Sequence, residues 1–236
     1  MNIKKSGIIL GKVMISAIPY VGGTIASIWN ELESMQVERK LQRFSELIEN
    51  LQSDFEQIKG NVNEDFVTAQ DCQDIFEKMS KFVVNERIKE KRNLYKNVYL
   101  HSMTAKTVDF DSVERNFRLI EQLNSLELLL LRIFDNPCKY DENIGNAYQN
   151  HYRDKNGNTI YHYQRNYYML EEIMLMLPRG IKKENVLESM LFLSQNRILE
   201  SGIEQKQLLT NGNPIDIFEN ALTAKGKTFV KLLKDI

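Results

Sequence analysis

The chain has 236 residues, 42% of them hydrophobic and 27% charged, and its 31 basic and 32 acidic groups leave a formal net charge of −1. That size and balance fit one large or two small globular domains. They give no support to generic attraction to nucleic acid, because residues 1–110 carry 15 basic and 15 acidic groups and residues 111–236 carry 16 and 17. Four prolines and eleven glycines argue against a many-stranded β fold, and two distant cysteines, Cys72 and Cys138, suit unpaired thiols in a reducing compartment.

Residues 1–29 are the most apolar segment. Lys4 and Lys5 precede Ile8, Ile9, Leu10, Val13, Met14 and Ile15, and no charge appears from Val13 to Asn30. A secretory signal would start similarly, but Lys12 interrupts the apolar run and no small-residue cleavage site follows. A membrane span needs about 20 largely apolar residues, and Pro19, Gly22 and Gly23 break this window. The reading that fits is a helical hairpin with its turn at Ile18-Pro19-Tyr20-Val21-Gly22-Gly23. It either packs within a bundle or leaves it for a membrane. Ile8, Ile9, Val13, Ile15, Pro19, Gly22, Gly23 and Trp29 are the candidate membrane- or partner-contacting residues.

From Thr24 to Lys59 the apolar residues fall at helical spacing, which predicts a single long helix. Ile25, Ile28, Leu32 and Met35 form one stripe, and Val37, Leu41, Phe44, Ile48, Leu51, Phe55 and Ile58 form a second. The second stripe begins about 200° round the helix from the end of the first. Two different packing partners are expected, with Phe44, Ile48 and Leu51 facing a core. The opposite face, with Glu38, Lys40, Arg43, Glu46, Glu49, Asp54 and Glu56, reads as solvated.

Gly60 ends this helix, and Asn63 or Thr68 caps the next, which carries Phe66, Val67, Cys72, Ile75, Phe76 and Met79. A further helix holds Phe82, Val83, Ile88, Leu94, Tyr95, Val98, Tyr99 and Leu100. Among these lie Arg87, Lys89, Lys91, Arg92 and Lys96, the most basic stretch of the chain. Glu86 and Glu90 offset it, and it reads as a solvated face rather than a phosphate-binding stripe. Residues 104–111 read as a linker, placing a helical bundle in 1–106 and a second domain in 107–236.

In the second domain Asp109 or Asp111 caps a helix through Val113, Phe117, Ile120 and Leu123, and Asn124 with Glu127 signals a new start. Leu126 to Phe134 is apolar nearly all round, which predicts burial on more than one side. Residues 138–166 form an insertion rich in tyrosine. Asn156-Gly157 reads there as a hairpin turn between 149–154 and 159–164. Helical pattern returns at Tyr168–Leu177 and at Lys182–Gln195.

No motif predicts an enzyme, a cofactor or a metal. His151 and His162 lie on the two hairpin arms, but a zinc site needs three or four ligands. Asp154, Asn156 and Asn158 imitate a calcium loop that fails at Thr159 and Arg165. Ala221 followed by Gly226-Lys227-Thr228 meets a relaxed phosphate-loop pattern, without the preceding parallel-sheet strand that such a loop needs. Cys72 sits on an apolar helix face and reads as a small core residue.

Outside the insertion, Ser125 to Lys234 resembles a winged-helix domain of the MarR and PadR repressor types. The residues that carry the resemblance are Ser125-Leu126-Glu127-Leu128, the helix Val186 to Leu193 leading into Arg197-Ile198-Leu199-Glu200, and Leu222-Thr223 with Gly226. It implies DNA contacts from Lys182, Lys183 and Arg197, although Glu184 and Glu188 on that helix would repel phosphates. Residues 1–110 resemble N-terminal helical bundles of bacterial defence and stress proteins, including HeLo-type membrane-active bundles, through Ile18 to Gly23 and the long charged helix. The expected fold is therefore mainly α, a helical bundle followed by a winged-helix-like α+β domain with a β-hairpin insertion. The expected function is a cytoplasmic, non-enzymatic interaction or regulatory protein. A membrane-active effector and a winged-helix DNA-binding regulator are the alternatives. A protein partner or a second copy of the chain is expected, and stress response or phage defence is the process the resemblance implies.

Overall fold

The computed structural model describes residues 20–140, 152–153, 159–160, 169–203, 218 and 220–233. The described part is mainly α-helical and divides into two units, the first running through Gln122 and the second starting at Leu123.

The first unit holds α1 (Gly22–Ser34), α2 (Glu38–Ile58), α3 (Glu64–Val67), α4 (Gln70–Asn85), α5 (Lys89–Thr104) and α6 (Phe110–Gln122). Local chemistry sets several of the boundaries. The Asn63 side chain accepts from the Phe66 N–H at the start of α3 and donates 2.8 Å to the Ala105 carbonyl beyond α5. Asp109 accepts from the Asp111 N–H at the start of α6. Thr68 does not cap α4; its hydroxyl donates back to the Glu64 carbonyl at 2.7 Å.

Thr24 to Lys59 is not one helix. It breaks at Met35–Val37, where Gln36 adopts φ 55°, and α1 folds back on α2 and α4. The 200° change of stripe explains the break. A straight helix would present its two apolar faces in nearly opposite directions, whereas the turn lets both reach one core. Val21, Ile25 and Leu32 are buried, together with Phe44, Leu47, Ile48, Leu51 and Phe55 of α2. Met35, which the stripe places inward, is 56% exposed at the turn.

Within the first unit the most buried helix among the described residues is α5, packed against α2, α4 and α6. Every residue from Leu94 to Leu100 is buried. Phe82 of α4, Tyr95 of α5 and Phe117 of α6 meet with ring centroids 5.1 to 5.8 Å apart. That cluster and the Lys78–Glu114 pair at 2.9 Å hold α6 in the first unit. The boundary therefore falls after α6 and not at 106/107.

The second unit holds α7 (Ser125–Asp135), α8 (Met169–Met176), α9 (Lys183–Gln195) and α10 (Ala224–Lys231). Asn124 and Glu127 form a complete capping box at the start of α7. This helix packs on α8, α9 and α10 and buries Leu128, Leu130, Leu131, Ile133 and Phe134, as its all-round apolar pattern requires.

The winged-helix expectation is corrected. Among the described residues, strand pairing is limited to the antiparallel pairs Tyr152 with Ile160 and Arg153 with Thr159, and to one bridge between Leu199 and Leu222. No winged-helix sheet is present among them. The Asn156-Gly157 turn lies outside the described residues. Helix α9 runs into a helix-ending motif rather than a wing. The Ile198 N–H donates to the Leu193 carbonyl and the Arg197 N–H to that of Ser194, both at 2.9 Å, with Arg197 at φ 57°. The chain then docks on the start of α10. The Thr223 N–H donates to the Ile198 carbonyl at 3.0 Å, and the Thr223 hydroxyl accepts from the Gly226 N–H at 3.0 Å. A Cβ on Gly226 would lie 2.1 Å from the Ile198 carbonyl oxygen.

Two substitutions test the packing, one in each unit. Ile48 is fully buried, so Ile48→Ala should cost about 2–5 kcal/mol of unfolding free energy. Denaturant titration would measure it, and an unchanged midpoint would mean the side chain is not packed in a core. Gly226→Ala forces a methyl group into a backbone oxygen and should cost about 1–3 kcal/mol or more. An unaffected thermal melt would show that the α9–α10 contact is not close.

Candidate functional site

The five basic residues between 87 and 96 read from the sequence as a solvated face. The fold leaves Arg87 and Lys89 exposed, half-buries Arg92, and takes Lys91 and Lys96 inward. Lys91 and Lys96 are 5% and 7% exposed. The Lys91 ammonium lies 3.1 Å from a Glu86 carboxylate oxygen and donates to the Glu121 carbonyl at 2.7 Å, in the last turn of α6. Lys96 pairs with Asp54 of α2, both side chains being largely covered. Arg92 donates to the Arg87 carbonyl at 3.0 Å and stands 3.5 Å from Glu46. Arg43 donates to the Val84 carbonyl at 2.9 Å.

One logic unites these contacts. Carbonyls in the last turn of a helix lack intrahelical partners and carry partial negative charge. Arg43 serves the end of α4 and Lys91 the end of α6, while Arg92 serves the link between α4 and α5. Lys91, Arg92 and Lys96 are thus spent on backbone carbonyls and carboxylates of the first unit, while Arg87 and Lys89 remain exposed. Burial alone would raise the Glu86 carboxyl, but the Ile88 N–H, at 2.8 Å, and Lys91 outweigh it and hold the group below its ordinary range.

Behind this seam lie Cys72 and Tyr99, with Sγ and the phenol oxygen 3.4 Å apart. Burial pushes both groups up, that of Tyr99 well above its ordinary value, and the Tyr99 contact only partly opposes the rise at Cys72. A thiol held protonated and covered is a packing group, not a nucleophile.

The other predicted residues are scattered. Ile8, Ile9, Val13, Ile15 and Pro19 lie outside the described residues. In α1, Gly22 is buried, Gly23 is exposed, and Trp29 is half-buried, its ring 6.3 Å from that of Phe44. Tyr20 stacks edge-on to Phe55 at 6.4 Å and donates to Glu64 at 3.2 Å. Lys182 and Lys183 are exposed at the start of α9, with Lys183 3.7 Å from Glu171. Arg197 lies past the other end of that helix, about 20 Å away along 13 residues. The three do not converge.

His101 is exposed, while His151 and His162 lie outside the described residues. Among the described residues no group of three or more His, Cys, Asp or Glu is placed to hold a metal ion, and no helix is long and apolar enough to cross a membrane. Gly226-Lys227-Thr228 occupies the first turns of α10, where Thr228 donates to the Ala224 carbonyl at 3.1 Å. The glycine answers to the nearby Ile198 carbonyl, and Thr223, not a phosphate, accepts from its N–H.

The buried pair gives a test. Lys91→Met leaves the largely covered Glu86 without its cation, held only by backbone N–H groups, and should cost up to about 3–5 kcal/mol. Adding Glu86→Gln should recover much of that loss in a double-mutant cycle, whereas additive losses would mean the pair is uncoupled. The lowered Glu86 group binds fewer protons when folded than when unfolded. Its contribution is complete above the ordinary carboxyl value, ~4.3, and is lost as pH falls through the folded value. Glu86→Gln should therefore flatten the acid limb of the stability profile.

No protein family model, curated protein or solved structure matches the chain, so neither the winged-helix nor the defence-bundle resemblance is supported by a relative.

Proposed function

We propose that the protein is a non-enzymatic interaction or regulatory protein that works in the cytoplasm and engages a protein partner through α1. The observation that carries the reading is the incomplete cover of the α1 apolar stripe. Ile28, Leu32 and Met35 stand at i, i+4 and i+7. Leu32 is buried, Ile28 and the adjoining Trp29 are half-buried, and Met35 is 56% exposed. Methionine adapts to varied apolar surfaces, and tryptophan is a frequent anchor at protein contacts. The titratable groups inside the first unit meanwhile serve packing: Cys72 lies against Tyr99, and Glu86 and Asp54 hold Lys91 and Lys96.

The uncharged run from Val13 to Asn30 favours a second reading, a membrane-active effector. The burial of Val21, Ile25 and Leu32 weighs against it for the arm that is described. The proposal does not extend to stress response or phage defence, which rested on the resemblance alone.

Affinity capture from native host cells should recover a protein partner with the intact chain and lose it with Met35→Glu, at an unchanged melting midpoint. Equal recovery by both forms, or none by either, would sink the proposal. Leakage of anionic liposomes caused by the intact chain would favour the membrane reading instead.

A further inference from the structure

We infer that the α1–α2 turn is a two-state hinge: α1 docks on α2 and α4 in the bent form, and on undocking fuses with α2 into one straight helix. The inference stands whether or not α1 binds a partner.

The turn is not enforced by its own sequence. Ser34-Met35-Gln36-Val37-Glu38 contains neither glycine nor proline, and each residue is compatible with a helix. Yet Gln36 takes the left-handed conformation, φ 55°, which disfavours an L-residue other than Asn or Asp. The strain persists only while α1 is docked, because straightening would return Gln36 to helical angles and restore hydrogen bonds across the break.

Among the described residues the docked contacts are modest and lie within the first unit. Val21, Ile25 and Leu32 are buried, the Trp29 and Tyr20 rings meet Phe44 and Phe55, and one exposed hydrogen bond joins Tyr20 to Glu64. The body of α2 is held separately, by its packing on α4 and α5 and by Asp54 on Lys96. It can therefore stay in place when α1 leaves. The 200° offset between stripes then has a consequence. In the straight form Phe44, Ile48 and Leu51 stay on the core while Ile25, Leu32 and Met35 turn away from it. The hinge converts a docked arm into a projecting helix with an apolar face.

Spin labels on Ser27→Cys and Asn50→Cys, both exposed positions, in a Cys138→Ala background, would report the state; Cys72 is buried. Trp29 against Phe44 and Tyr20 against Phe55 make the bent helices antiparallel, which puts the labelled backbones about 10–15 Å apart. The straight helix puts them about 35 Å apart, at 1.5 Å per residue. The otherwise unaltered chain should give the short distance. Undocking by Ile25→Asp should give a narrow peak near the long one. Gln36→Gly, which relieves the bent turn, should shrink that peak at least two-fold, and Gln36→Ala should enlarge it. Should Ile25→Asp abolish the cooperative melt, Trp29→Ala replaces it, with a smaller long-distance peak expected. A broad distribution after undocking would mean that α1 unravels, and an unchanged short distance that it never leaves. Either overturns the inference, as does a peak indifferent to residue 36.

Discussion

The first unit depends on how two lysines are buried. Helix α5 carries Lys91 and Lys96 into the interior, where an unpaired charge would be very costly. Glu86 reaches Lys91 from the link before α5, and Asp54 reaches Lys96 from α2. Each pair fixes a neighbour as well as a charge. Asp54 aligns α2 on α5, and the second bond of Lys91, to the Glu121 carbonyl, ties down the end of α6. The ring cluster of Phe82, Tyr95 and Phe117 joins α4, α5 and α6 in the same unit.

The second unit answers a different constraint, the close approach of two backbones. Helix α9 ends with Arg197 in the conformation that glycine usually supplies, while Leu193 and Ile198 are both fully buried across the motif. The carbonyls of Asn196, Arg197 and Ile198 receive Lys225, the Thr223 hydroxyl and the Thr223 N–H. The glycine that a side chain would exclude is therefore at 226, on the partner segment, and the helix end itself tolerates an arginine. A cluster of small and basic letters that imitates a phosphate loop is a packing device here.

Legibility in the sequence follows the range of the interactions. Asn124 with Glu127, Asn63 and Asp109 act within a few residues, so the start of α7 can be read directly and those of α3 and α6 to within a choice of two capping residues. The basic stretch misleads for the opposite reason. Asp54, the partner of Lys96, sits on a distant helix, and charge composition alone cannot distinguish a solvated lysine from a buried one whose partner, like Glu86, stands close in the sequence. A signal was present in Leu94, Tyr95, Val98, Tyr99 and Leu100, which are apolar round most of the helix and imply burial of whatever lies between them. The winged-helix resemblance failed because element order says nothing about strand pairing, which depends on distant segments.

By itself the sequence determined that this chain is mainly helical, where its apolar stripes run, and that one stripe changes phase between Met35 and Val37. Periodicity and capping act between neighbours, and the string records neighbours. Only the tertiary structure decided that the phase change becomes a turn at Gln36, that α6 belongs with the first unit, that Lys91 and Lys96 go inside, and that Gly226 lies against Ile198. Each of these depends on groups brought together from distant positions, where packing and desolvation outweigh local preference.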